Sequence, residues 1–239
     1  MGFAGGNNLG IRKAKGNYFL MLNNDTEVEP GFLEPLVDAM LSNSNIGMVG
    51  AKVRYFNQPG IIQFAGSTHM SRFTATSHFI GNRQKDEGQF DTQKTTPFAS
   101  GAAMMVSRKV CEDVGLMASF FFLYYEELDW QTRIRKAGYE IYYIPKSLVL
   151  HKESVSVGKQ SSLQAYWKTR NRLLLIRRNS SNYDVFISYI YISLISTPWQ
   201  IVKYFTRFKW RSLKVHGIAL GWHYLNLFNK KRVHQNDYL

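Results

Sequence analysis

The stretch Phe121–Tyr139, FFLYYEELDWQTRIRKAGY, decides how this chain is read. An aromatic run gives way to a helical pattern, and Glu126, Glu127 and Asp129 cluster at the changeover. Like charges this close repel unless a cation, a substrate or a basic partner needs them. Asp129 has a partner in Arg133, one helical turn on. Glu126 and Glu127 have no such local partner. A carboxylate at the mouth of a helix is placed to take a proton from a bound hydroxyl. Acids also suit helix N-termini for purely structural reasons.

Two further segments favour chemistry. In Tyr18–Phe32, YFLMLNNDTEVEPGF, an apolar run ends in Asn23-Asn24-Asp25, and Pro30-Gly31 opens the next helix. Oxygen ligands at the end of a buried strand suit a hard divalent cation carrying phosphates. In Leu148–Gly158, LVLHKESVSVG, His151 follows another short apolar run, where a histidine is either a hydrogen-bonded structural residue or a ligand.

Strands and helices alternate through the first two thirds, which predicts an α/β sheet with helices on its faces. Helices are expected over Asn7–Lys15, Gly31–Leu41, Arg108–Val114 and Glu127–Ala137. Strands are expected over Tyr18–Leu22, Met48–Phe56, Ile61–Ser67, Phe98–Val106 and Tyr139–Ile144, with a turn at Asn57-Gln58-Pro59-Gly60. Ser71–Thr96 is polar and reads as a long loop.

The charge is uneven. Residues 1–158 carry 16 Lys+Arg against 15 Asp+Glu, while residues 159–239 carry 14 against 2. The composition break near Gly158 marks a change of task, from an α/β domain over 1–158 to a basic helical region over 159–239. Ser162–Arg178 reads as a helix, and Val185–Val202 has no charged residue, a length near the lower limit for a membrane span. Trp199–Lys214 reads as one amphipathic helix lying in a membrane interface, with Ile201, Phe205 and Phe208 on one face and Lys203, Arg207, Arg211 and Lys214 on the other. The single cysteine, Cys111, excludes an internal disulfide and suits a reducing compartment. The opening MGFAGG lacks the basic start and apolar core of a signal peptide.

Taken in order, GFAGGNNLGI, LNNDT with PGF, ASGAAMMVSRKV, FFLYYEELDW and LVLH resemble the family 2 glycosyltransferases of the GT-A fold, in their bacterial rhamnosyltransferase-like branch. The resemblance implies a mixed, mostly parallel sheet flanked by helices. It also implies a nucleoside-diphosphate sugar donor, a Mg²⁺ or Mn²⁺ cofactor, and a glycan or lipid-linked acceptor at the cytoplasmic face of a bacterial membrane. In the family, the GFAGGNN motif follows a strand–helix–strand–helix segment that grips the donor's base and ribose. That segment is expected to be missing here, through a misassigned start, a fragment or a separate chain. Tyr18–Leu22 would then become a sheet edge, and an apolar edge invites aggregation.

The site residues follow from the same resemblance. The family's DxD element reads Asn23-Asn24-Asp25, with one acid rather than two, so Asp25 and His151 are the expected metal ligands and Asn23 a donor contact. The family's base position is held by Glu127, one methylene longer than the usual Asp; Glu126 is the alternative base, and Asp129 orients the helix start or pairs with Arg133. A misplacement of ~1 Å in such chemistry can cost on the order of 100-fold. Gly101 is expected to let backbone pass close under the sugar, with Ser100 and Ala102 touching donor or acceptor. Asn7 and Asn8 either cap the first helix or reach the nucleotide.

Three functions compete. The leading one is an inverting glycosyltransferase working beside an anionic membrane surface. The second is a non-catalytic fragment or partner subunit, suggested by the thinned metal motif and Glu127. The third is a nucleic-acid binder, prompted by the basic, aromatic tail; its amphipathic spacing and the absence of any nucleic-acid motif argue against that, and no nucleic-acid partner is expected.

Overall fold

The computed structural model describes residues 1–152, 161–227 and 229. In chain order the elements are α1 (Gly2–Lys13), β1 (Tyr18–Leu22), β2 (Thr26–Val28), α2 (Glu34–Ser42), β3 (Ile46–Tyr55), β4 (Gln58–Phe64), β5 (Lys94–Thr95), β6 (Ala103–Ser107), α3 (Arg108–Val114), α4 (Glu126–Lys136), β7 (Glu140–His151), α5 (Ser162–Asn179), α6 (Asn182–Tyr191), α7 (Thr197–Phe205) and α8 (Trp210–Leu225). The boundary proposed near Gly158 lies outside the described residues.

The strands form one mixed sheet of order β1-β6-β3-β7-β2, with β4 on β3 and β5 on β7. Alternating burial splits its side chains by face. Met48 and Met104 pack with α1, α3 and α4 through Ala4, Ile11, Val110, Trp130 and Ile134. Their neighbours Val49 and Met105 pack on α2 through Leu36, Ala39 and Met40. The expectation of a mostly parallel sheet is corrected. Among the described residues only β3 and β7 run parallel, and the other pairings are antiparallel. The long Ser71–Thr96 connection lets β6 enter against the direction of β3. As expected, β1 is an edge strand, paired only with β6.

Several boundaries moved for local reasons. The turn after β3 is Phe56–Asn57, and Pro59 and Gly60 fall inside β4; a proline is tolerated in such a strand where its missing N–H has no ladder partner. β7 runs on through LVLH, so His151 ends a strand and pairs with Thr26 of β2. Long though it is, the Ser71–Thr96 segment is anchored: Asp86 is buried against Lys52 and Arg54.

The basic region is helical, as expected, and α5 packs against α8. The single amphipathic helix over Trp199–Lys214 is not found. The helix stops at Phe205, Phe208 turns the chain with φ of 53°, and α8 starts at Trp210. The four cations assigned to one face thus fall on two helices and the turn between them. A near-continuous helix, Asn182–Phe205, combines α6, a π-turn at Ile192–Ser196 and α7. It is 24 residues long, its most apolar 18-residue window has a mean hydropathy of 1.4, and it leaves Tyr183, Phe186, Ile190, Leu194, Ile201 and Phe205 exposed at helical spacing.

Candidate active site

The acid pair opens α4 after an unusual approach. Phe122, Tyr124 and Tyr125 all have φ between 65° and 74°, and Tyr125 is the residue that caps the helix. Non-glycine residues in this left-handed region are strained and persist only where the surroundings hold them. Here α5 does so. Asn171 Nδ2 lies 2.8, 2.7 and 2.9 Å from the carbonyls of Phe121, Leu123 and Tyr124. Arg170 donates to the Phe120 carbonyl and covers its ring. On the other side Phe3 N–H donates to the Phe122 carbonyl at 2.9 Å. Gly2, with φ of 70°, must be glycine, because a Cβ there would sit 2.0 Å from Phe122 O.

The carboxylates differ in company. Asp129 is fully buried and bonded to Arg133 Nε (3.0 Å), Arg178 Nε (2.9 Å) and Asn179 Nδ2 (2.8 Å). The two guanidinium groups hold its carboxyl below the usual range although burial opposes them. Asp129 therefore locks α4 to α5, confirming its pairing with Arg133, and is not free for proton transfer. Glu126 is buried and Glu127 half-buried, and each has a buried Oε2 with no partner. Burial first, then the charge of Glu127, pushes Glu126 up to about 9. Burial raises Glu127 as well. Neighbouring carboxylates in a dry site cannot both ionise, so the pair keeps one proton near neutral pH.

This has a consequence for stability. A carboxyl whose folded pKa is raised binds protons in the native state that the unfolded chain has lost, so stability falls as pH rises between 4.5 and about 9. Glu126→Gln should therefore raise the melting temperature at pH 8 by more than at pH 5, and thermal melts across that range check it. An equal shift at both pH values would contradict the buried-acid assignment.

The second half of the site forms where β2 meets β7. His151 Nε2 lies 3.1 Å from Asp25 Oδ1, and His151 Nδ1 lies 2.8 Å from Gln63 Oε1. With Nδ1–H donating to Gln63, Nε2 turns a lone pair toward a carboxylate oxygen. That contact is favourable only with a cation or a proton between the two atoms. Two cis ligands on an octahedral ion with bonds of about 2.0–2.1 Å stand roughly 3 Å apart, so the donor set fits one divalent cation with phosphate oxygens completing it. Gln63 was not anticipated; the only signal in the sequence is a polar residue alternating with Ile62 and Phe64 at a strand end.

The ASGAA turn joins the halves. Asn23 N–H donates to the Ala102 carbonyl at 3.0 Å, while the space above Gly101 is faced by Glu127, whose Cγ would lie 4.0 Å from a Cβ added there. That is ordinary contact, so no neighbour within the protein demands glycine at 101 and the space above it is left open for a ligand. Ser100 and Ala102 are buried and face inward: Ser100 Oγ accepts from Ala102 N–H, and Ala102 joins the core beneath β3, β4 and β7. Asn7 and Asn8 lie within α1 rather than at its cap. Asn7 donates to Phe3 O; Asn8 is buried and donates to Met117 O at 2.7 Å. Asn171 was also missed. It shares a helix face with Leu174 and Arg178, a polar position inside a buried stripe.

Comparison with known proteins accords with this geometry. Residues 1–115 match the model of the family described as Glycosyl transferase family 2. A Haloferax volcanii protein named low-salt glycan biosynthesis hexosyltransferase Agl10 is 27% identical over 207 residues, covering 84% of this chain and 66% of its own. The Shigella flexneri dTDP-rhamnosyl transferase RfbF is 26% identical, over 82% of this chain and 67% of its own. The Mycobacterium tuberculosis N-acetylglucosaminyl-diphospho-decaprenol L-rhamnosyltransferase is 24% identical, over 64% and 53%. The chain thus spans about half to two thirds of these relatives. The structure of GalNAc-T7 with UDP, GalNAc and Mn²⁺ superposes with a TM-score of 0.57 at 15% identity, over 74% of this chain and 34% of that one. With its mixed sheet between two helical layers and the acid pair at the mouth of α4, the chain has the GT-A fold, and its first 115 residues are a glycosyl transferase family 2 domain.

Proposed function

We propose that the chain acts as an inverting glycosyltransferase that moves a sugar, rhamnose being the expected one, from a nucleoside-diphosphate donor to a lipid-linked or growing glycan. The observation that carries this reading is that Glu126 and Glu127, each with one buried carboxyl oxygen lacking a partner, stand across the Gly101 turn from the Asp25–His151 pair. Asp25 and His151 would hold Mg²⁺ or Mn²⁺, which when bound offsets the charge developing on the departing diphosphate. Glu127, which faces Gly101, takes the acceptor hydroxyl's proton as the sugar's anomeric carbon is attacked. Glu126 keeps the shared proton, and Asn171 fixes the approach to both. Asp129 has a structural part. The relatives' names, a dTDP-rhamnosyl transferase and an enzyme acting on a diphospho-decaprenol, support this donor and acceptor class. A thermal melt with a panel of UDP-, GDP- and dTDP-sugars tests donor recognition. At about 100 times Kd a ligand contributes about 2.7 kcal/mol, or roughly 5 °C at this size, and the shift should require both sugar nucleotide and Mn²⁺.

The membrane reading rests on the exposed apolar face of Asn182–Phe205 beside a basic region. Such a helix lies in the interface of an anionic cytoplasmic leaflet, each nearby Lys or Arg contributing about 1 kcal/mol. Reversing Lys203, Arg207, Arg211 and Lys214, or raising the salt, should then release the protein from anionic vesicles in a flotation assay. Release by detergent alone would show that the helix spans the bilayer instead.

A further inference from the structure

A cavity of about 310 Å³ lies between α5, α7 and α8. One wall is Tyr125, the residue before Glu126. The opposite wall is formed by Ile192, Ser196, Gln200 and Lys203, positions three to four apart that face away from the exposed apolar stripe of the same helix. The cavity thus sits between the lipid-seeking surface and the acid pair.

Its chemistry is one-sided. Lys168, Arg172 and Lys203 line it, and among the described residues no acidic side chain does. Lys168 lies over the Tyr124 ring at 5.0 Å, with burial lowering its ammonium pKa. Arg172 is steered by the Thr74 carbonyl and Ser196 Oγ. His216 is 6% exposed; its Nδ1 lies 2.9 Å from Thr169 Oγ1, and its Nε2 is buried without a partner. With Thr169 donating to Nδ1, His216 Nε2–H is an unused donor in a cavity that also holds three cations. Gathering cations without a counter-charge is costly. A multiply charged anion with several acceptor oxygens removes that cost, and guanidinium and ammonium groups are the usual partners of phosphate.

We propose that this cavity binds the phosphate or diphosphate that joins a lipid-linked acceptor to its glycan, with the lipid following the apolar face of Asn182–Phe205 and the sugar reaching past Tyr125 to Glu127. This rests on the acceptor class proposed above and assigns its anchoring group to named residues.

The test uses the full chain in detergent micelles, with farnesyl diphosphate, farnesol and inorganic pyrophosphate as probes in titration calorimetry. Farnesyl diphosphate should bind more tightly than either of the others. Lys168→Gln/Lys203→Gln should weaken it ten- to a hundredfold without changing farnesol binding. Lys13→Gln/Lys15→Gln, the same loss of charge at exposed positions outside the cavity, should leave it unchanged. In the wild-type chain, farnesyl diphosphate should shield Lys168 and Lys203 from amine acetylation read by mass spectrometry, a result that does not depend on any variant folding. Equal weakening by both double variants, or no shielding, would overturn the site. Pyrophosphate binding as tightly as farnesyl diphosphate would overturn the lipid source and assign the cavity to a free diphosphate. Tight, cavity-dependent binding without donor recognition would instead count against the glycosyltransferase reading and leave the anion site standing.

Discussion

Glu127→Gln should lower sugar transfer by roughly 10²–10⁴, the usual span for removing a general base, with donor binding little changed. Gln keeps the size of Glu and its contact with the Gly101 turn, so only the proton acceptor is lost. Glu126→Gln should cost much less, because that group already holds the proton near neutral pH. Steady-state rates for both variants separate the two roles. A larger loss in Glu126→Gln would move the base by one residue.

The second large effect is expected at the strand ends. Asp25→Ala and His151→Ala should each weaken Mn²⁺-dependent donor binding by about tenfold or more. The double variant should lose less than the product of the two, because both side chains serve one ion and their effects are coupled. The 3.1 Å contact between Asp25 and His151 motivates this. Donor titrations with and without Mn²⁺ give the four values needed. Additive losses would place the two residues in separate roles. Gln63→Leu should reproduce part of the His151 effect, since a histidine ligand is oriented through its other nitrogen.

Much of this site was legible in the chain because its motifs are local. The acids at 126 and 127, Asp25 at a strand end and His151 after LVLH were each marked by a switch from apolar run to polar residue. Helices α3 and α5 were also legible in the sequence, at nearly the observed bounds. What escaped was long-range. Nothing near Asn171 tells that its amide holds the carbonyls of Phe121, Leu123 and Tyr124, some 50 residues away. Asn8 was open between a helix cap and a nucleotide contact, yet it lies within α1 and is buried. Strand direction was misread because alternating strands and helices suggest parallel pairing, while the long connection before β6 reverses it. The break at Phe208 had no glycine or proline to announce it.

The central claim is that the Asp25–His151 pair and the Glu126–Glu127 pair serve one sugar transfer. It is tested most directly by incubating the wild-type chain and lipid-linked acceptor with labelled nucleoside-diphosphate sugar, and counting label in the lipid extract with and without chelator. Transfer should depend on both metal and Glu127. Undiminished transfer in excess chelator, or by Glu127→Gln, would contradict it.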